Sequence, residues 1–313
     1  MTREIRGSRS VVRVALRLPA HYTLRNQEPP IMWLLPLSLV LLSAGLHASW
    51  NLIVKSEDDK LFSGWLTVVA PAVLLAPALL VTGLPPAAAW PLLAGSAVIH
   101  TCYMFALVQA YTHGDLSVVY PVARGLAPLF VAVGAPLFLG ERLSSLAVLG
   151  VLLVGGGIAW LGLSARRAAA SRSGLGWAVA TAVLICSYSI VDKAGVSRTN
   201  PLAYIIVLMA LNGTCMTPFV LWRRDTRRLG DLWRRRWRIS VAGGLLSITA
   251  YLLVLMAMRL TQVSYIAALR EVSVILASLL GWRVLKEAYG GRRILASVVV
   301  AFGLILLVLA MRG

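Results

Sequence analysis

Arg124 lies inside the apolar stretch Val119-Tyr120-Pro121-Val122-Ala123-Arg124-Gly125, and Arg270 and Glu271 lie inside Ala267-Ala268-Leu269-Arg270-Glu271. A charge left in hydrocarbon costs at least ~2.5–3.5 kcal/mol, so such a residue faces a partner or a water-filled cavity. The guanidinium is a planar fork that meets a carboxylate or phosphonate through two parallel hydrogen bonds. The chemistry suggested is recognition of an anion, with no bond made or broken. Each Arg is followed seventeen residues later by a Glu: Glu141 in Gly140-Glu141-Arg142 and Glu287 in Lys286-Glu287-Ala288. One shift of 146 residues superposes both pairs, which points to a duplicated unit.

Other polar residues surround these two stretches. Glu271 is read as a proton-coupling carboxylate, an amine ligand or the inter-helix partner of Arg124. Adjacent helical residues point about 100° apart, so Glu271 does not easily bond its neighbour Arg270. Pro121 removes a backbone donor and frees the carbonyl of Ser117; Arg124 capping carbonyls loosened there is the structural alternative to anion binding. Tyr120 and Tyr265 add hydroxyls to a site or serve as packing aromatics. His47, Trp50 and Asn51 share a helix face at spacings of three and four, as a polar cavity wall or as packing glue. His100 and Tyr103 share a face in the same way. Glu141 and Glu287, beside Arg142 and Lys286, are read as surface or inter-helix ion pairs. Lys55, Asp192 and Lys193 end their spans and are expected to snorkel to the headgroups. Residues 223–238, with eight Arg in sixteen positions, are expected to form a solvated loop that sets topology or binds anionic lipid.

The elements that position these residues follow from composition. Of 313 residues, 59% are hydrophobic and 13% charged, with mean hydropathy +0.80. The apolar residues come in continuous runs of about twenty, the length of a membrane-crossing helix, and lack the alternation of barrel strands. The net charge of +18 resides in the N-terminal tail and the loops, where membrane topology expects it, so no nucleic acid partner is inferred. Cys102, Cys186 and Cys215 fall within apolar runs as packing residues; no metal or cofactor motif is present. No Gly-x-x-x-x-Gly-Lys phosphate loop and no nucleophile–base pair marks an enzyme.

The expected fold is an all-α integral membrane protein of ten transmembrane helices, arranged as two inverted five-helix repeats. The spans are 32–54, 62–82, 90–111, 115–139, 143–163, 174–192, 201–222, 239–260, 262–285 and 293–311. Residues 1–31 form a basic tail, disordered or preceding the true start; 32–164 and 174–312 form the repeats, joined by a linker at 165–173. The end of the first span, His47 to Lys55, matches that of the sixth, Ile185 to Lys193. An odd number of spans per half turns the second copy upside down. Inverted repeats of this kind mark secondary transporters with midplane sites.

The fourth span with Pro128 ending in Gly140-Glu141-Arg142-Leu143-Ser144, its counterpart ending in Lys286-Glu287, and the Gly-rich spans after each (Gly150, Gly155, Gly156, Gly157; Gly303) resemble the drug/metabolite transporter superfamily, as a ten-helix protein with two EamA-type domains. The His-Ala-Ser-Trp-Asn and Tyr-Pro-Val-Ala-Arg-Gly stretches also resemble a subgroup labelled phosphonate-associated membrane proteins. The resemblance implies that the fourth and ninth helices line a central cavity, where Arg124 and Arg270 would form a symmetric cationic clamp. The expected function is secondary transport, with export of a small anionic or zwitterionic metabolite by alternating access. A flippase for a lipid-linked sugar, and a non-transporting scaffold or enzyme, are the alternatives. The implied partners are that solute, membrane lipid, and a coupling proton or counter-substrate; the chain would act as monomer or homodimer in the bacterial plasma membrane. The positive-inside rule favours both termini outside, whereas the resemblance implies termini in the cytoplasm.

Overall fold

The computed structural model describes residues 33–55, 60–163, 171–223, 226–274 and 291–312. Its helices are α1 (Leu34–Lys55), α2 (Lys60–Leu75), α3 (Trp90–His113), α4 (Leu116–Leu139), α5 (Ser145–Leu163), α6 (Arg172–Val196), α7 (Pro201–Arg223), α8 (Thr226–Leu260), α9 (Val263–Leu269) and α10 (Gly291–Arg312). A 3₁₀ turn (Ala76–Ala78) and a further helical turn (Leu79–Thr82) prolong α2. Among the described residues, eight helical segments are long and apolar enough to cross a membrane, and α1 holds a shorter apolar stretch, Leu34–Trp50. The basic tail, most of the linker and the second half of the ninth span, with Lys286 and Glu287, lie outside the described residues.

The packing obeys the duplication. α3 lies against α6 and α8 against α1; α2 lies against α8 and α7 against α3; α4 packs on α5 and on α6, and α9 touches α10 and α1. Exchanging the halves, so that α1 becomes α6 and so on, turns each of these pairs into its partner. α2 with α7 and α5 with α10 pair across the pseudo-axis.

Glycines set the closest approaches. A Cβ at Gly125 would lie 2.5 Å from the Ala159 nitrogen, and one at Gly155 would lie 2.6 Å from the Gly125 carbonyl. α5 meets α10 in the same manner, with Gly150 against the Gly303 carbonyl at 2.9 Å and the reverse at 2.9 Å. Small residues let helix backbones approach where lipid supplies no hydrophobic drive. Gly156 faces open space, so the Gly155-Gly156-Gly157 run uses its members on different faces. Cys102 and Cys215 are exposed, contrary to the packing role expected of them, and Cys186 is buried.

Two expectations about the ends of spans are corrected. Residues 226–238 are helical: the expected Arg-rich loop is largely the first part of α8. Arg and Leu are good helix formers, and no proline interrupts the segment. The second correction concerns Glu141. Gly140 takes φ 67° and ends α4 with its N–H on the Ala135 carbonyl, a left-handed cap that glycine adopts without strain. The chain then turns Glu141 toward α9, where its carboxylate accepts from Val263 N at 2.6 Å, Ser264 N at 3.2 Å and Ser264 Oγ at 2.8 Å. The expected surface ion pair is instead a helix cap. The N-cap residue of α9, Gln262, makes no side-chain cap of its own, and a carboxylate suits the orphan donors and positive end of that helix.

Candidate functional site

Arg124 is the ninth residue of α4, which places it near the middle of a helix ~36 Å long. It is 7% exposed, and Glu271 from the other half is 3% exposed. Arg124 donates from Nη2 to Glu271 Oε1 at 2.8 Å and from Nε to Oε2 at 3.2 Å. This is the bidentate fork-to-carboxylate geometry. The symmetric clamp expected from the sequence is therefore corrected: Arg124 is neutralised by Glu271, and the two Arg are not equivalent. The 146-residue shift shows why. It pairs Glu271 with Gly125, whose missing side chain admits α5, so the duplication is broken at the residue beside each Arg.

α9 is interrupted here. Leu269 ends its regular part, and the next bonds run one residue short of α spacing: Glu271 N to Ala268 O at 3.1 Å and Ser273 N to Arg270 O at 3.1 Å. Interrupted backbone at membrane depth is tolerated where protein or a cavity surrounds it. Nothing in the sequence signals the break, since no Pro or Gly lies near. Arg270 is half-buried, with its guanidinium carbon 5.5 Å from the centre of the Tyr251 ring. Among the described residues it makes no ion pair and no side-chain hydrogen bond.

Aromatic and imidazole rings form the surrounding wall. His100 stacks on Tyr188 at 4.1 Å, and Tyr251 lies edge-on to His100 at 5.9 Å and to Tyr188 at 6.4 Å. Tyr103 meets Tyr188 edge-on at 5.7 Å. The charges of Arg124 and Arg270 both bear on His47, Tyr103 and Tyr120. Tyr120 and His47 thus belong to the same neighbourhood as the Arg pair. Trp50 donates Nε1–H to His47 Nδ1 at 3.0 Å, which fixes the imidazole ring in α1. Asn51 is on α1, but its side chain is outside the described set.

Tyr265 is elsewhere. It lies near Ser144 and Glu141, at the end of α4 remote from Arg124. Lys193 does not snorkel: Nζ donates to the carbonyls of Met258 and of Thr261, the latter at 2.9 Å, closing the C-terminus of α8. Asp192 is likewise not an interfacial residue. It is 0% exposed and accepts hydrogen bonds from Ser96, Tyr251 and Tyr204, the last at 2.8 Å.

A family model described as the EamA-like transporter family matches residues 31–163 and 172–309. The chain belongs to the EamA-like transporter family. It is a multi-pass integral membrane protein, and its family is one of small-molecule transporters. No curated protein is similar enough to count as a match. One solved crystal structure, of a protein whose description states no function, is similar with a TM-score of 0.70 and 20% identity, over 88% of this chain and 95% of that one. At that identity the likeness concerns the fold alone.

The break in α9 falls at Arg270 and Glu271, and Glu271 bonds Arg124 of the other half. The residues that sequence reasoning missed here are Tyr188, Tyr204, Tyr251 and Ser273. Ser273 Oγ is buried three residues beyond Arg270 with no hydrogen-bond partner among the described residues. Asp192 was visible as a carboxylate in an apolar setting, but its position close to a span end pointed outward.

Proposed function

We propose that this EamA-like protein moves a small anionic or zwitterionic metabolite by alternating access, with Arg270 holding the anionic group. The observation that carries this reading is the contrast between the two arginines. Arg124 is neutralised by Glu271, whereas Arg270, half-buried beside an interrupted helix, makes no ion pair and no side-chain hydrogen bond among the described residues and lies beside the Tyr251 ring. A guanidinium in such a place carries an unused fork of donors. Ser273 Oγ adds a buried, unsatisfied polar atom close by, and Tyr120 and His47 lie within reach of both charges. Opening and closing of the halves would break and remake the Arg124–Glu271 bond, which joins them. Arg124 and Glu271 then act as a gate, and Arg270 as the residue that binds.

A thermal-shift panel of amino acids, phosphonates, organic acids and sugar phosphates on purified protein tests this. A ligand at a hundred times its Kd adds about 2.7 kcal/mol of apparent stability. The expected result is a hit with a carboxylate- or phosphonate-bearing compound that is lost in Arg270→Gln. A hit that survives Arg270→Gln, or no hit from a folded protein, would overturn it; the second outcome would favour a lipid substrate.

A further inference from the structure

Asp192 plays no part in the site as described, yet its surroundings are built. It lies about 6 Å along α6 from that helix's C-terminal end, nearer one membrane face than Arg124, and is fully buried. Ser96 from α3 and Tyr204 from α7 donate to Oδ1; Tyr251 from α8 donates to Oδ2. Gly195 makes room for Tyr204: a Cβ there would lie 2.6 Å from the Tyr204 hydroxyl oxygen. Among the described residues no cation bonds the carboxylate. His100 Nδ1 lies 2.9 Å from the Ser96 carbonyl, an acceptor only, so that nitrogen carries a proton when the bond forms. The remaining neighbours are Tyr188, stacked on His100; Lys193, turned to the carbonyls ending α8; Arg124 on α4, neutralised by Glu271; and Arg270 on α9, whose charge bears on His100 and Tyr251.

From this arrangement we infer that Asp192 is the proton-binding site of the transport cycle, linked to Arg270 through Tyr251. The inference rests on the reading of Arg270 as the anion-holding residue. Three hydroxyl donors satisfy an ionised carboxylate without a counter-ion. A proton bound at Oδ2 ends that oxygen's role as acceptor from Tyr251, whose hydroxyl oxygen then accepts from the carboxylic acid instead. The Arg270 guanidinium lies beside the ring of that same Tyr251, so Asp192 and Arg270 share one neighbour. The electrostatic sign is fixed as well. The cation at Arg270 opposes protonation of Asp192, and an anion bound to Arg270 cancels that opposition. Anion and proton therefore promote each other's binding by the same factor. They travel together, and the proton gradient sets the direction of net movement.

Infrared difference spectra of the ligand-free protein in lipid, recorded while the pH is lowered, read this directly. A carboxylic acid shows a carbonyl stretch that the carboxylate lacks. The band expected on acidification disappears in Asp192→Asn and persists, displaced, in Asp192→Glu, which also shows that the site still folds. At the same low pH the band is larger in Arg270→Gln, which removes the opposing charge, and in Tyr251→Phe, which removes a donor to the ionised form. A band unchanged in Asp192→Asn, or one of native size in both Arg270→Gln and Tyr251→Phe, would overturn the inference. These spectra need no transported ligand. A failed ligand panel would thus strike the anion reading and leave the Asp192 result standing by itself.

Discussion

The Arg124–Glu271 pair supports a quantitative test. Both side chains are almost wholly buried and bonded through two contacts of 2.8 and 3.2 Å. Removing one partner of such a pair strands a charge and costs about 3–5 kcal/mol, whereas replacing both by apolar residues of similar volume is often neutral. The two single losses should differ. Arg124→Met leaves a carboxylate that still feels the charge of Arg270 and is able to take up a proton. Glu271→Leu leaves Arg124 buried without its counter-ion, and a guanidinium does not give up its proton. We expect about 3 kcal/mol for Arg124→Met, about 4–5 kcal/mol for Glu271→Leu, and no more than the milder single loss for the double variant. Reversible unfolding in mixed micelles, followed through the fluorescence of the ten tryptophans, measures all three. If the double variant lost the sum of the singles to within ~0.5 kcal/mol, the residues would be independent and the gate would not exist.

Two further substitutions test the packing. Gly155→Ala places a methyl 2.6 Å from the Gly125 carbonyl and 2.7 Å from Leu129 Cγ, and should cost about 1–3 kcal/mol in the same unfolding assay. Gly156→Ala meets nothing within 4 Å and should be neutral or stabilising by up to ~1 kcal/mol through helix propensity. Glu141→Ala removes the cap of α9 and should cost about 0.5–2 kcal/mol, with faster amide exchange at Val263 and Ser264; unchanged exchange there would refute the capping role.

Much of the architecture was legible because a bilayer demands simple patterns: continuous apolar runs, short loops and a five-plus-five count. Arg124, Arg270 and Glu271 were legible for the same reason, as charges where charges are costly. The bond between Arg124 and Glu271 was one of three readings of Glu271, because spacing within a helix carries no information about a partner 147 positions away. Asp192 and Lys193 were misplaced since proximity to a span end resembles exposure; only the packing of α3, α7 and α8 around α6 shows that the carboxylate is covered. Tyr265 was open between a site hydroxyl and a packing aromatic, since a position five residues before Arg270 does not say which neighbours a side chain meets; it is packed in the core. Residues 223–238 show the limit of composition, because a run of arginines is equally compatible with a loop and with a helix that outruns the membrane.

The substitution of Gly125 for the counterpart of Glu271 bears on which shape the empty protein holds. In an inverted-repeat carrier the halves trade conformations, so each bond that seals one mouth has a mirror image that would seal the other. Here the mirror image would join Arg270 to residue 125, and glycine offers it nothing. On the alternating-access reading proposed above, one end of the cycle is latched and the other is not. Every 1.4 kcal/mol of net difference skews the two populations tenfold, so the unloaded carrier should rest with one mouth shut, and cargo must supply the free energy to release it. Cysteine labelling from the two membrane faces should accordingly be lopsided in the native protein and more even in Glu271→Gln.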